Sequence, residues 1–266
     1  MFDDPRSSIF MKMGRLEICI DSYESAANAV SGGAHQLEVC SSLVLGGLTP
    51  SIGLVRRLRA SFPDMPLFVM IRPRGGDFIY TKDEVSVMLE DLRAMKNIGV
   101  TGFVFGAMDS TGALDVDVCK RLIQAARPSP CTLSRVFDLV KDWRLALKQA
   151  IAMGFKTVLT SGQATTAVDG RDKLKKMRDE ARDQINIMAG SGVNAKTLPT
   201  LLSETSCSWY HGSASVAVES KMPKSRVKMG SMDTDVQRVT SKEEVRTMRD
   251  LIDQFFGNGP IVTPYY

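Results

Sequence analysis

The sequence predicts an α/β protein of the (β/α)8 class, a TIM-type barrel built as one domain. Three observations carry that expectation. Short apolar runs alternate with longer helical patterns, and the alternation repeats eight times. The chain has 266 residues, and such barrels commonly use about 250 residues as a single unit. A doubly wound open sheet would place a G-x-G-x-x-G turn after the first strand, and none stands there.

The first unit is residues 16–20, then Asp21-Ser22 as a helix cap and an Ala-rich helix stopping at Gly32-Gly33. The second is residues 36–40, a glycine-containing loop and a helix over 52–62. The third is residues 67–71, the loop Arg72-Pro-Arg-Gly-Gly-Asp77, and a helix opened by Thr81 and Glu84 at capping-box spacing. Val85, Met88, Leu89, Leu92 and Met95 then recur at the helical period. The fourth pairs residues 102–105 with a helix over 117–126, and the fifth runs from 131–134 through Arg135-Val-Phe-Asp138 into a helix ending at Met153. The sixth joins residues 157–160 to a polar helix over 174–183. The charges from Arg171 to Arg182 mix both signs and read as a solvated helix face. The seventh is residues 185–188, the turn Gly190-Ser191-Gly192 and a short helix over 198–202; the eighth strand is 208–211. An irregular stretch follows from Gly212 to Thr240. A last helix is opened by a second capping box, Ser241 and Glu244, and carries an apolar stripe of Val245, Met248, Leu251, Ile252 and Phe255. Composition does not shift along the chain, so the expected division is a tail over 1–13 and a barrel over 14–266.

Composition excludes several function classes. Hydrophobic residues make up 44%, which excludes disorder and low-complexity chains. Five scattered cysteines are an odd set that does not read as a secreted disulfide framework, and two histidines are too few for a metal-finger array. The net charge of +4 is small and unconcentrated, so no nucleic-acid partner is expected. No apolar stretch approaches the roughly 20 residues of a membrane span, and the N-terminus lacks the apolar core of a signal peptide. The expected setting is a reducing cytoplasm, with the nucleus left open as a further compartment.

Barrel active sites lie at the C-terminal strand ends, and strand parity nominates residues there. In the first strand Ile18 and Ile20 share one face; Glu17, Cys19 and Asp21 share the other. In the second, Leu37 and Val39 oppose Gln36, Glu38 and Cys40. The apolar faces should meet the helices, leaving Glu17, Cys19, Glu38 and Cys40 to point inward. Two buried carboxylates need partners, and Arg72, Arg74 and Arg135 lie near other strand ends. Cys19 and Cys40 are candidate metal ligands, because soft thiolates select monovalent copper or zinc and two thiols suit two-coordinate copper. Met70 and Met188 read as interior core, and Cys119, Cys131 and Cys207 receive no role.

Three further groups are open to two readings each. The segment from Arg72 through Arg74 to Asp77 offers two guanidiniums and two glycines to a phosphate or carboxylate, or else pairs with the interior carboxylates. Arg135 and Asp138 invite the same alternatives. Gly190, Ser191 and Gly192, with Ser213, follow strands seven and eight, where barrels often hold phosphate. His211 ends strand eight as a candidate general base or ligand, whereas His35 lies at the opposite barrel end. Glu17, Glu38, Arg72, Arg74, Asp77, Arg135 and His211 are therefore the candidates for catalysis on a phosphorylated or carboxylated small molecule.

Several of these segments carry a family resemblance. Leu16-Glu-Ile-Cys-Ile-Asp-Ser22, Gly32-Gly-Ala34, Leu37-Glu-Val-Cys-Ser41, Gly46-Gly-Leu-Thr-Pro-Ser51 and Ile71-Arg-Pro-Arg-Gly-Gly-Asp-Phe78 resemble the CutC family of copper homeostasis proteins. Leu159-Thr-Ser-Gly162 and Ile187-Met-Ala-Gly190 continue the likeness, which covers residues 14–256. The resemblance implies a cytosolic, homo-oligomeric barrel that binds monovalent copper and takes part in copper tolerance or trafficking. It assigns the metal to cysteines of the first two strands, here Cys19 and Cys40, which parity also selects. The family's fifth strand usually reads Thr-Phe-His-Arg-Ala-Phe-Asp. This chain reads Thr132-Leu-Ser-Arg-Val-Phe-Asp138, so Ser134 stands where that pattern has histidine and a role resting on that histidine is not carried over.

Overall fold

The eight apolar runs form eight parallel strands. In the computed structural model, residues 13–219 and 236–257 are described. The strands are β1 (Arg15–Ile20), β2 (Gln36–Val39), β3 (Leu67–Met70), β4 (Gly102–Phe105), β5 (Cys131–Leu133), β6 (Thr157–Thr160), β7 (Asn186–Gly190) and β8 (Trp209–Gly212). They close in sequence order, with β8 pairing back onto β1. The helices are α1 (Tyr23–Gly32), α2 (Ile52–Ser61), α3 (Lys82–Lys96), α4 (Val116–Ala126), α5 (Trp143–Met153), α6 (Arg171–Ala181), α7 (Leu198–Thr205) and α8 (Lys242–Phe256). No described helix is long and apolar enough to cross a membrane.

The core has two compartments, as parity requires. Leu16, Ile18, Ile20, Leu37, Val39, Leu67 and Val69 are buried in one cluster with the inner faces of the helices, including Ala26, Val55 and Met88. Inside the barrel a smaller cluster joins Cys40, Phe68, Met70 and Val104. The local signals hold helix by helix. Ser22 caps α1, which ends at Gly33 in the left-handed region, and Thr81 with Glu84 makes a full capping box on α3. The charged α6 buries only Leu174, Met177 and Ala181.

Four expectations need correction. Residues 212–240 are not irregular throughout: β9 (Ser215–Glu219) and β10 (Val236–Thr240) pair antiparallel. Their alternation is short and their side chains largely exposed, so the apolar signal that marks the barrel strands is weak there. Residues 135–138 do not enter α5; they form a 3-10 turn over Arg135–Leu139, and α5 starts afresh with Asp142 as its cap. The box at Ser241 is half made: Ser241 accepts from Glu244 N, but Glu244 Oε1 turns to the Ala195 N–H at 2.7 Å. In α8, Val245, Met248 and Ile252 are buried while Phe255 is 53% exposed, so the stripe is narrower than its apolar residues suggest. Of the expected tail over 1–13, only Met13 lies within the described residues.

His35 sits at the end of the barrel away from the mouth, where its Nδ1 accepts from the Leu16 N–H at 2.9 Å. Burial, with Arg249 and Arg15 nearby, pulls its pKa from 6.5 down to about 4. A group depressed in the folded state contributes fully above its unfolded pKa, and that contribution is lost as pH falls from 6.5 through 4. Unfolding in denaturant should lose about 2–3 kcal/mol between roughly pH 7 and pH 4 through this residue. His35→Asn keeps an acceptor for Leu16 and should flatten the profile by that amount; parallel profiles would refute the assignment.

Candidate functional site at the barrel mouth

Barrel closure assembles the site. β1 lies between β2 and β8, so Glu17 pairs in register with Gln36 on one side and His211 on the other, and Cys19 pairs with Glu38. All five side chains are on the inward parity. Glu17 is fully buried; its Oε2 accepts from Gln36 Nε2 at 2.5 Å and its Oε1 lies 2.6 Å from His211 Nδ1. With Nδ1 thus engaged, the other ring nitrogen of His211 turns towards Glu38, 3.7 Å from Oε2. Donor atoms of Cys19, Glu38 and His211 all lie within 4.8 Å of one another. Cys40 reaches this group through Glu38, its thiol donating to Oε2 at 3.5 Å. Glu38 Oε1 is buried and has no hydrogen-bond partner among the described residues.

Two glycines make room for these side chains. A Cβ on Gly47, which has φ +85°, would stand 3.0 Å from Cys40 Sγ. A Cβ on Gly190 would come within 2.6 Å of Leu159 and 3.4 Å of the His211 ring. Both positions let backbone approach an interior side chain closely.

Burial governs the electrostatics. It raises the Cys19 thiol, which His211 partly offsets. It also raises Cys40 strongly, with the Glu38 charge adding to the effect. Glu38 is pushed up to about 7 by burial, with Glu17 adding and His211 opposing. Burial acts against protonation of His211, but Cys19, Glu38 and Glu17 together outweigh it and hold its pKa well above the ordinary value. Burial thus opposes ionisation of both thiols, while the charges around His211 favour its protonated form.

The cluster opens into a cavity of about 880 Å³ at the strand C-termini, lined by Cys19, Glu38, Met70, Arg72, Ser134 and His211 among others. Ser134 caps the turn at 135–139. The remaining candidates divide between this cavity and the surface. Arg72 does not pair with Glu17 or Glu38, one of its two expected roles. Its guanidinium donates to the carbonyls of Leu45, Gly47 and Gly76 and lies over the Phe78 ring at 4.4 Å, because the loops after β2 and β3 close around it first. Arg74 likewise misses the interior carboxylates; it pairs with Glu84 and with Asp77 on the outside. Arg135 pairs with Asp138 at 2.8 Å and borders the cavity. Ser191, Gly192 and Ser213 line the same cavity, while Gly190 closes β7 behind them. The Ser191 hydroxyl donates to Thr165 O, and that of Ser213 meets Ser215 Oγ.

Sequence reading missed two features. One is the Glu17–His211 pair, whose members are 194 positions apart. Its signal was available, since a closed barrel must set the last strand beside the first. The other is Asp138, which gathers Thr160 Oγ1, Ser161 N and Gln163 N along with Arg135.

Comparison with known proteins places these residues in context. Residues 14–216 match the sequence pattern of the CutC family. A copper homeostasis protein cutC homolog of Caenorhabditis elegans is 50% identical over 238 residues, covering 90% of this chain and 95% of that protein. The corresponding Mus musculus homolog is 41% identical, covering 88% and 87%. A solved CutC structure from Streptococcus agalactiae superposes with a TM-score of 0.72 at 26% identity, covering 76% of this chain and 99% of the other.

Proposed function

The chain belongs to the CutC family, and on that premise we propose that it serves copper homeostasis by carrying monovalent copper at its interior thiols. The observation that supports this most is the placement of Cys19 on β1, in register with Glu38 of β2, and of Cys40 just past β2 with its thiol on the Glu38 carboxylate. Copper is cargo here, and the residues fit it: thiolates are the soft donors that monovalent copper prefers, Phe68, Met70 and Val104 pack around Cys40, and Cys19 faces the cavity through which an ion can enter. Loading displaces the thiol protons, which burial otherwise retains. The relatives that carry the copper homeostasis name support the same reading.

Anaerobic titration of the reduced full-length chain with monovalent copper, read against a chromophoric chelator, tests it. The parent should withdraw copper from the chelator, and the Cys19→Ser plus Cys40→Ser variant should lose at least a hundredfold in affinity. A double variant that binds as much copper as the parent would sink the reading.

A further inference from the structure

We propose that Cys19, Glu38 and His211 form a three-ligand site for a borderline divalent cation of the zinc class, with one coordination position left open to the cavity. The proposal shares Cys19 with the copper reading but uses a different donor set and fails independently of it.

The donor types argue first. One thiol, one imidazole and one carboxylate converge with their ligand atoms within 4.8 Å. A carboxylate is a hard oxygen donor that monovalent copper does not seek, whereas zinc accepts sulfur, nitrogen and oxygen together. Donors around one tetrahedral zinc stand about 3.5 Å apart, given bonds of roughly 2.0–2.3 Å. The observed group needs only a modest contraction to reach that geometry.

The surroundings argue next. Zinc-ligating histidines usually give their other ring nitrogen to a carboxylate, which fixes the ring and raises its basicity. His211 does this through Nδ1 to Glu17 at 2.6 Å, and Glu17 is itself fixed by Gln36. Nε2 is thereby turned towards Glu38. Glu38 Oε1 is buried with no partner among the described residues, although the residue is only 3% exposed. A bare buried carboxylate oxygen is costly, and a cation removes that cost. Arg72 does not supply the charge, since it is spent on loop carbonyls. Finally, all three ligands line the cavity. Three protein ligands facing open space are the pattern of catalytic zinc sites, which keep a fourth position for water or a substrate donor.

Binding releases the Cys19 thiol proton and the His211 Nε2 proton to solvent, and sulfur–metal and nitrogen–metal bonds form in their place while Nδ1 keeps its proton towards Glu17. Divalent cobalt is the probe, added alone to the reduced full-length chain. A thiolate-to-cobalt charge-transfer band with tetrahedral visible bands is expected, and zinc should abolish both. Glu17→Gln should weaken zinc by about 10–100-fold, and Glu38→Gln by at least as much. Cys40→Ser keeps a donor for Glu38 Oε2 and should weaken monovalent copper far more than zinc. Because Cys19 serves both ions, prior loading with copper should suppress the cobalt spectrum. Should Glu38→Gln fail to fold, Glu17→Gln carries the decision. A cobalt spectrum without charge transfer, or zinc binding undiminished in the glutamine variants, would overturn the proposal and leave the copper reading standing. Zinc binding without copper binding would do the reverse.

Discussion

Asp138→Ala is expected to cost about 3–5 kcal/mol of folding stability, although the residue touches no predicted core position. The carboxylate is nearly buried, with 6% of its side chain exposed. It accepts from Thr160 Oγ1 at 2.5 Å, from the Ser161 N–H at 3.0 Å and from the Gln163 N–H at 3.1 Å, and it pairs with Arg135. Thr160 and Ser161 have no exposed surface. Truncation would strand their donors away from water, and each such group costs about 1–3 kcal/mol. The Arg135 contribution is small, because that side chain is 41% exposed. Asp138→Asn keeps one carbonyl oxygen and should lose about 1–2 kcal/mol. Denaturant unfolding of both variants is the measurement, and an alanine variant within about 1 kcal/mol of the parent would contradict the account.

The second large effect belongs to the pair that closes the barrel. Glu17→Ala should also cost about 3–5 kcal/mol, because it leaves His211 and Gln36 in the interior without their shared acceptor. His211→Ala removes the group that needs that acceptor. The double variant should therefore be less damaged than the two single losses predict, by about 1–3 kcal/mol. Simple additivity in the double-mutant cycle would mean that the 2.6 Å contact carries no coupling. The same cycle bears on the proposed three-ligand site, since it measures how firmly the imidazole is held in place.

Much of this was legible in the sequence, and what was not has a physical reason. The period-2 pattern of β1 and β2 suffices to put Glu17, Cys19, Glu38 and Cys40 inside, because a strand with one apolar face has only one way to sit against the helices. The cap at Ser22 and the box at Thr81 follow from short-range hydrogen bonds that depend on nothing distant. The fates of Arg72 and Arg74 were not readable. Each guanidinium had several partners within reach of its flexible stem, and the choice among them is set by loop conformations that sequence spacing does not encode. Asp138 was recognisable as a neighbour of Arg135 but not as a hub, since three of its donors come from the segment at 160–163, at the end of β6 and just beyond it. His211 looked like a lone histidine because its partners are at the other end of the chain. The β9–β10 pair was missed because most of its side chains are exposed and only its end, at Thr240, is buried against α1.

The β1–β8 join has a consequence for biosynthesis. Glu17, Cys19 and Glu38 emerge from the ribosome early, and His211 only 173 positions after Glu38. A partly made chain holds thiols and carboxylates that are still in water and not yet arranged around anything. The mixed-donor constellation is complete only once β8 pairs with β1, and long-range parallel pairings of this kind are intrinsically slow to form. The three-ligand site proposed above therefore belongs to the closed barrel and not to a partly made chain.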